Sequence, residues 1–271
     1  MIGFYNNSYI PVKDMKFSLT HLSATRGFGA FELVMCLNGN IFREADHLDR
    51  LKKSLDILGI ELFGNIDIPA VLQNLILKND LKSHLLKIII SPASTIENEY
   101  NLNGPDLFVW PVLFSLPDPD LVNRGVSVII RDHTRFLPEA KTTNYTASVH
   151  FLGGVKGKFF FDVLFRTGNE IREASRSNIF LVKGSELITP REHILDGITR
   201  KVVLEVAEKE GIKVRYSPLL DDDIKNCDEI FLTGTSKGVM PVSMVEGRKV
   251  GKGMPGHVTK LLIREYNKLL P

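Results

Sequence analysis

Apolar residues recur with two different periods along this chain, and the periods divide it into strands and helices. Residues 2–12 read as two short strands around Asn6-Asn7, a turn pair that tolerates positive φ. Phe31 to Leu37 (FELVMCL) is a strand, and Asn38-Gly39 supplies a type I′ turn back into Ile41-Phe42. Asp46 is the expected N-cap of the helix that follows, where Leu48, Leu51, Leu55 and Leu58 fall on one face. A second helix follows Asp67-Ile68-Pro69, with Val71, Leu72, Leu75 and Ile76 inward. Leu85–Ile90 and Leu107–Phe114 are β-branched or aromatic runs, hence strands, separated by a polar loop.

Ser115 to Asn123 (SLPDPDLVN) interrupts both flanking patterns and reads as a linker. It divides the chain into an N-terminal domain over 1–115, a linker over 116–123 and a second domain over 124–271. Gly125–Arg131 restarts as a buried strand, and Asn144–Leu152 looks helical. Val163–Phe165, Glu170–Glu173, Ile179–Val182 and Leu187–Ile188 are successive strands with turns at Gly168 and Gly184. Ile198–Glu210 is an amphipathic helix with Val202, Val203, Val206 and Ala207 inward and Gly211 at its end. Val214–Tyr216 and Glu229–Thr233 are further strands, and His257–Leu270 is helical. The mixture predicts two small α/β or α+β domains, the second built mainly of strands.

Composition removes several classes of function. With 44% apolar and 24% charged residues and a net charge of +2, nothing draws the chain to nucleic acid or to an anionic membrane. No apolar run approaches the roughly 18 residues of a membrane span, and MIGFYNNSYIPV lacks the pattern of a signal peptide. Cys36 and Cys227 read as reduced core residues of a cytoplasmic protein, and the seven histidines show no metal spacing.

The candidate chemistry lies between Lys141 and Arg200, with outliers on either side. Lys141, in a loop ahead of a helix, is an amine that desolvation would free to attack a carbonyl; its ordinary reading is a solvated lysine. Glu173 ends a short strand, where a carboxylate suits a protonated ring nitrogen or is merely a hairpin charge. Gly197-Ile198-Thr199-Arg200 opens a helix whose free N–H groups suit an anion, as many helix starts do. Thr233-Gly234-Thr235-Ser236 is a second hydroxyl-rich turn fit for phosphate oxygens. Arg50, on a helix face with His47, suits a phosphate or a surface pairing with Asp46.

Taken in order, GAFE (Gly29 to Glu32), NGNIFREADHLDRL (Asn38 to Leu51), KTTNY (Lys141 to Tyr145), EASRSNIFLVKGSELITP (Glu173 to Pro190), DGITR (Asp196 to Arg200) and DEIFLTGTSKGVMPV (Asp228 to Val242) resemble the class IV, or fold type IV, pyridoxal-phosphate aminotransferases. That family includes branched-chain and D-amino acid aminotransferases and aminodeoxychorismate lyase. The resemblance implies an α/β (α+β) fold type IV architecture: an N-terminal α/β sandwich and a C-terminal strand-rich pseudo-barrel, with pyridoxal 5′-phosphate in the interdomain cleft of a homodimer. It implies that Lys141 forms the internal aldimine and shuttles the α-proton. Glu173 would hold the pyridine nitrogen protonated. Arg50, Ile198, Thr199 and Thr235 would bind the phosphate, Asn144 and Tyr145 would lie near the ring, and Phe31 and Ser236 would belong to the substrate pocket.

The implied reaction moves an amino group between an amino acid and a 2-oxo acid. The alternatives are pyruvate elimination from aminodeoxychorismate and a cofactor-binding homologue without turnover. The spacing from Lys141 to Asn144 matches the D-amino acid transaminase and lyase branch. Two positions depart from the family: Phe28 stands where relatives carry Asp, and Ser91-Pro92-Ala93-Ser94 stands where they carry an Arg-Gly turn.

Overall fold

The computed structural model describes residues 1–62, 66–94, 98–153 and 160–271. Contacts divide the chain into two compact units. The first holds Met1–Ser115, Ala140–Tyr145 and Pro271; the second holds Leu116–Glu139 and Thr146–Leu270. Six residues around Lys141 therefore belong by contact to the first unit, although the sequence pattern puts them in the range of the second.

In the first unit the elements are β1 (Ile2–Tyr5), β2 (Ser8–Pro11), α1 (Leu22–Thr25), β3 (Ala30–Leu37), β4 (Asn40–Ile41), α2 (Glu44–Leu58), α3 (Ile68–Asn79), β5 (Ser83–Ser91) and β6 (Asp106–Leu113). Among the described residues the strands form one antiparallel sheet in the order β2-β1-β6-β5-β3-β4. Asn38 and Gly39 both take positive φ, 50° and 78°, as the type I′ turn requires. Leu51, Leu55 and Leu58 of α2 and Val71, Leu72, Leu75 and Ile76 of α3 are buried. Asp67 caps α3 by accepting from Ala70 N at 3.0 Å, a contact that stabilises a helix start by about 1 kcal/mol.

Asp46 is not a cap. α2 begins two residues earlier, after Arg43 in the left-handed region, so Asp46 lies in the first turn and pairs with Arg43 at 3.6 Å. A carboxylate in the first turn still favours the helix dipole, which is why the sequence signal is displaced by a few residues and not lost.

In the second unit come α4 (Pro119–Arg124), β7 (Val126–Asp132), α5 (Thr146–Gly153), β8 (Asp162–Thr167), β9 (Glu170–Ala174), β10 (Ser177–Lys183), β11 (Glu186–Thr189), α6 (Ile198–Lys209), β12 (Lys213–Tyr216), β13 (Leu219–Leu220), α7 (Asp221–Asn226), β14 (Glu229–Gly234), β15 (Gly238–Val245), β16 (Arg248–Lys249) and α8 (His257–Asn267). Part of the expected linker is thus the short helix α4, capped by the Asp118 carboxylate, which accepts from Asp120 N, with Pro119 at its first position.

The strands run β12-β11-β10-β14-β15-β7-β8-β9-β13, and β10 also pairs with β9, which closes a ring from β10 through β14, β15, β7 and β8 to β9. Val128, Leu164, Ile171, Ile179, Leu181, Ile230, Leu232 and Met240 pack into one buried cluster. Phe180 and Phe231, the alternate residues on β10 and β14, are buried as well and stack at 4.8 Å. Burial on both faces explains why IFLV and IFL read as continuous apolar runs without alternation. The run of β15, to which the hydrophobic pattern assigns no element, carries Pro241 opposite Phe231 and a register shift between Val242 and Met244 on the side of β7. A proline in a central strand, tolerated at an irregular pairing, is what hides that strand from the pattern.

Candidate active site

Lys141 is fixed through its main chain. Its carbonyl accepts from Phe31 N at 3.0 Å, its amide donates to the Ser54 hydroxyl at 3.0 Å, and the neighbouring Thr143 N donates to Gly29 O at 2.9 Å. The segment therefore lies along the start of β3, bridged at Ala30 and Thr142, and against α2. Lys141 Nζ stands 4.4 Å from the centroid of the Phe31 ring, and the Tyr145 ring meets the same ring edge-on at 5.5 Å. An ammonium over a ring face is held by the ring quadrupole at a cost in desolvation that a solvated lysine does not meet. Lys87, which the sequence did not single out, brings a second ammonium to within 5.9 Å of Phe31 and 5.4 Å of Trp110; burial pushes its pKa down.

Arg50 and His47 share one turn of α2 and converge on Glu32 of β3. Arg50 donates from Nε to Oε1 at 2.7 Å and from Nη2 to Oε2 at 2.9 Å, and His47 Nδ1 lies 2.9 Å from Oε2. All three side chains are buried. Burial pushes the Glu32 carboxyl up, but the Arg50 charge and the hydrogen bonds from His47 and Arg50 outweigh it and hold the group well below the usual carboxylate range. Burial pulls the His47 imidazole down, against the opposing pull of Glu32. The Glu32 carboxylate thus takes its balancing charge from Arg50, with His47 Nδ1 at hydrogen-bond distance from the same oxygen as Arg50 Nη2. The same α2 backbone holds Ser54, whose hydroxyl donates to Arg50 O at 2.8 Å. One helix therefore orients Arg50 and anchors Lys141. Beside the surface pairing with Asp46 that the sequence offered, Arg50 has a buried partner in Glu32 that no helix spacing announces.

The second unit carries the remaining candidates. Glu173, on β9 and nearly buried, accepts from Arg135 Nη1 at 2.6 Å and from Leu195 N at 3.1 Å. Arg135 supplies compensating positive charge that no local pattern announces, since it lies 38 residues away. Across the sheet Glu173 pairs with Asn178, and Asn178 with Thr233. Asn178 Nδ2 donates to Leu195 O at 2.8 Å, so one asparagine and one glutamate fix the chain entering α6.

The helix begins after Gly197, with Ile198 and Thr199 buried at its first positions. A Cβ on Gly197 would stand 1.9 Å from Asn178 Oδ1, so only glycine lets the backbone come this close. The second turn runs from Gly234 to Gly238, paired with each other, and is closed by Lys237 N donating to Gly234 O at 3.0 Å. It leaves Thr235 half-buried and Ser236 exposed.

Phe31, Arg50, Lys141 and Tyr145 are thus gathered in the first unit, and Glu173, Ile198, Thr199, Thr235 and Ser236 in the second. Asn144 is exposed in the first unit, packed against Gly27. The donor set fits pyridoxal phosphate: an amine for an aldehyde, a carboxylate for a ring nitrogen, and a glycine-led helix start with a hydroxyl for a phosphate. Among the described residues no group of three or more His, Cys, Asp or Glu side chains is arranged to hold a metal ion, and no helix is long and apolar enough to cross a membrane.

One unit offers a glycine-led helix start and a hydroxyl-rich turn on a closed ring of strands, and the other a lysine pinned through its main chain, parts that suit an enzyme using a phosphate-bearing, carbonyl-reactive cofactor. Residues 29–245 match the family described as amino-transferase class IV, and the chain belongs to that family. It is a pyridoxal-phosphate-dependent enzyme that moves an amino group between an amino acid and a 2-oxo acid. The chain is 30% identical to a protein of Methanocaldococcus jannaschii provisionally named a branched-chain-amino-acid aminotransferase, over 98% of this chain and 95% of that one. It is 28% identical to the D-alanine aminotransferase of Bacillus licheniformis, over 86% and 84%. In fold it is similar to the branched-chain amino acid aminotransferase of Escherichia coli, with a TM-score of 0.88, 24% identity and coverage of 99% and 93%.

Proposed function

We propose that Lys141 is the residue that holds the cofactor covalently and moves the substrate's α-proton, and that the other candidates bind and orient the same cofactor. Bound pyridoxal phosphate supplies an electron sink for negative charge at the substrate α-carbon. Lys141 Nζ, in its neutral form, would take the proton from that carbon and pass it on to the cofactor, which keeps the amino group while the substrate leaves as a 2-oxo acid. The observation that carries this role is the pinning of the Lys141 main chain on both sides while Nζ faces the Phe31 ring. A fixed backbone leaves the side chain as the only mobile part, which keeps the amine within a short arc.

Glu173 keeps a proton on the ring nitrogen, with Arg135 and Leu195 N holding its two oxygens in place. Ile198 N–H, Thr199 and Thr235 take the phosphate, the first two at the positive end of α6. Arg50 adds a cation whose direction Glu32 sets. Phe31 and Tyr145 give the substrate pocket an aromatic wall, with Ser236 as a polar contact, and Asn144 and Tyr145 lie near the ring. An aromatic wall favours an amino acid with an apolar side chain over one that must be hydrogen-bonded. The active form is a homodimer in the cytoplasm, as the family resemblance and the buried, unpaired thiols of Cys36 and Cys227 suggest.

Borohydride reduction of the yellow protein, followed by peptide mapping, tests the assignment. The label is expected on Lys141. A label on any other lysine removes Lys141 from the mechanism.

A further inference from the structure

Lys237 belongs to the same turn as Thr235 and Ser236, yet its side chain leaves the turn and enters the protein. Its Nζ lies 2.6 Å from Asp162 Oδ2 and 2.6 Å from Ser177 Oγ, with the Phe161 ring centroid 5.0 Å away. Lys237 is 7% exposed, and Asp162 is wholly buried at the start of β8. Asp162 also accepts from Ser175 Oγ at 2.6 Å, from Ser177 Oγ at 2.8 Å and from Val163 N at 2.9 Å. Every oxygen of the carboxylate is thus engaged, and the ammonium is spent on two partners rather than offered to a ligand. Burial pulls Lys237 down and pushes Asp162 up; each offsets the other's burial, and the pair holds Asp162 below its ordinary value.

A buried ion pair of this kind adds little to global stability, because well-packed apolar residues of like volume serve as well. What it does is fix geometry. Ser177 begins β10, and the next residue, Asn178, pairs with Glu173 on one side and Thr233 on the other. Asn178 is also the side chain that crowds Gly197 at the start of α6. The Lys237–Asp162–Ser177 cluster therefore ties the Thr235 turn to the strand that sets both Glu173 and the helix N-terminus.

We propose that Lys237 is a positioning residue: through Asp162 and Ser177 it fixes the Thr235–Ser236 turn relative to the start of α6, and so sets the spacing of the two groups that grip the cofactor's phosphate. This rests on the reading that Thr199 and Thr235 bind phosphate. The two ideas fail in different ways in one experiment.

The apoenzyme is titrated with pyridoxal 5′-phosphate and with pyridoxal, which lacks the phosphate, and binding is followed by visible absorbance. Thr199→Ala tests the underlying reading, and Lys237→Met tests the inference. Lys237→Met is expected to weaken pyridoxal phosphate by roughly 10–100-fold, the scale on which loss of a supporting hydrogen bond loosens a bound group, and pyridoxal by less than about 2-fold. Because Lys237→Met leaves Asp162 unpaired and can fail to fold, the paired change Asp162→Asn with Lys237→Met removes both charges while an amide oxygen still accepts from Ser175 Oγ and Val163 N. That variant is expected to keep a cooperative melt and to show the same selective loss. Selective loss in either variant supports the inference. If Thr199→Ala loses phosphate discrimination while the Lys237 variants keep it, Lys237 is only structural. Equal weakening of both ligands with a lowered melting temperature in the paired variant also overturns the proposal. If Thr199→Ala itself keeps full discrimination, the phosphate reading falls first, and the proposal with it.

Discussion

Arg50 and Glu32 face each other as fork and carboxylate inside the first unit, with Nε on Oε1 at 2.7 Å and Nη2 on Oε2 at 2.9 Å, both side chains buried. Two parallel charge-assisted bonds fix the plane of the guanidinium as well as its distance. Arg50 thereby gains a set direction, which a lone arginine on a helix face would lack.

Removing the acid takes away the buried carboxylate on which Arg50 and His47 converge. Glu32→Gln is expected to destabilise the protein by roughly 3–5 kcal/mol, the usual cost of breaking a buried pair from one side. Urea unfolding checks it, and a loss under about 1 kcal/mol would mean that water or another acid takes over the guanidinium.

The same pair sets an acid limit on stability. Glu32 has a folded pKa depressed below its ordinary value of 4.5. Its contribution is therefore fully present above about pH 4.5 and is lost as pH falls through that value toward the folded pKa. Unfolding midpoints measured from about pH 6 down to about pH 3 should fall more steeply for wild type than for Glu32→Gln. Parallel slopes would remove Glu32 as a source of the acid sensitivity.

Lys141→Ala removes an amine while leaving the three main-chain contacts of its segment intact. Turnover should fall by roughly 10³-fold or more, while the melting temperature stays near wild type. Activity within about tenfold of wild type would exclude Lys141 as the proton carrier.

Glu173→Gln keeps the size of the side chain and an acceptor for Leu195 N, but takes the charge opposite Arg135. The protein should still bind pyridoxal phosphate, with kcat lower by about 10²–10⁴-fold. A variant that stays colourless when the cofactor is added would show that Glu173 serves binding and not charge at the ring.

Gly197→Ala inserts a methyl 1.9 Å from Asn178 Oδ1. Either Asn178 releases Leu195 O or the helix start moves, at a cost of about 1–3 kcal/mol. Cofactor affinity, measured by absorbance titration, should drop in step. Unchanged affinity would mean that the start of α6 tolerates displacement and contributes little to holding the phosphate.

The order of residues is enough for most of the elements and for the names of the site's groups. Period-2 and period-3.6 patterns are local, so β3, α3, β10 and α6 are legible without any partner, and Asn38-Gly39 announces its turn because few residues accept positive φ. The ordered motifs from Gly29 to Val242 single out Lys141, Glu173, Thr199 and Thr235 as candidates, because a reaction needs particular side chains whatever their surroundings. Who holds those side chains depends on the folded chain. Arg135 on Glu173, Glu32 on Arg50, Ser54 on the amide of Lys141 and Asp162 on Lys237 are partners 18 to 87 residues apart, joined by sheet pairing and helix packing that no local period encodes. β15 stayed hidden for the same reason: Pro241 weakens the local strand signal, and only β14 and β7 on its two flanks make that segment a strand. Burial then fixes the charges, since a carboxylate such as Glu32 remains ionised inside the protein only where a cation has been brought to it through the fold.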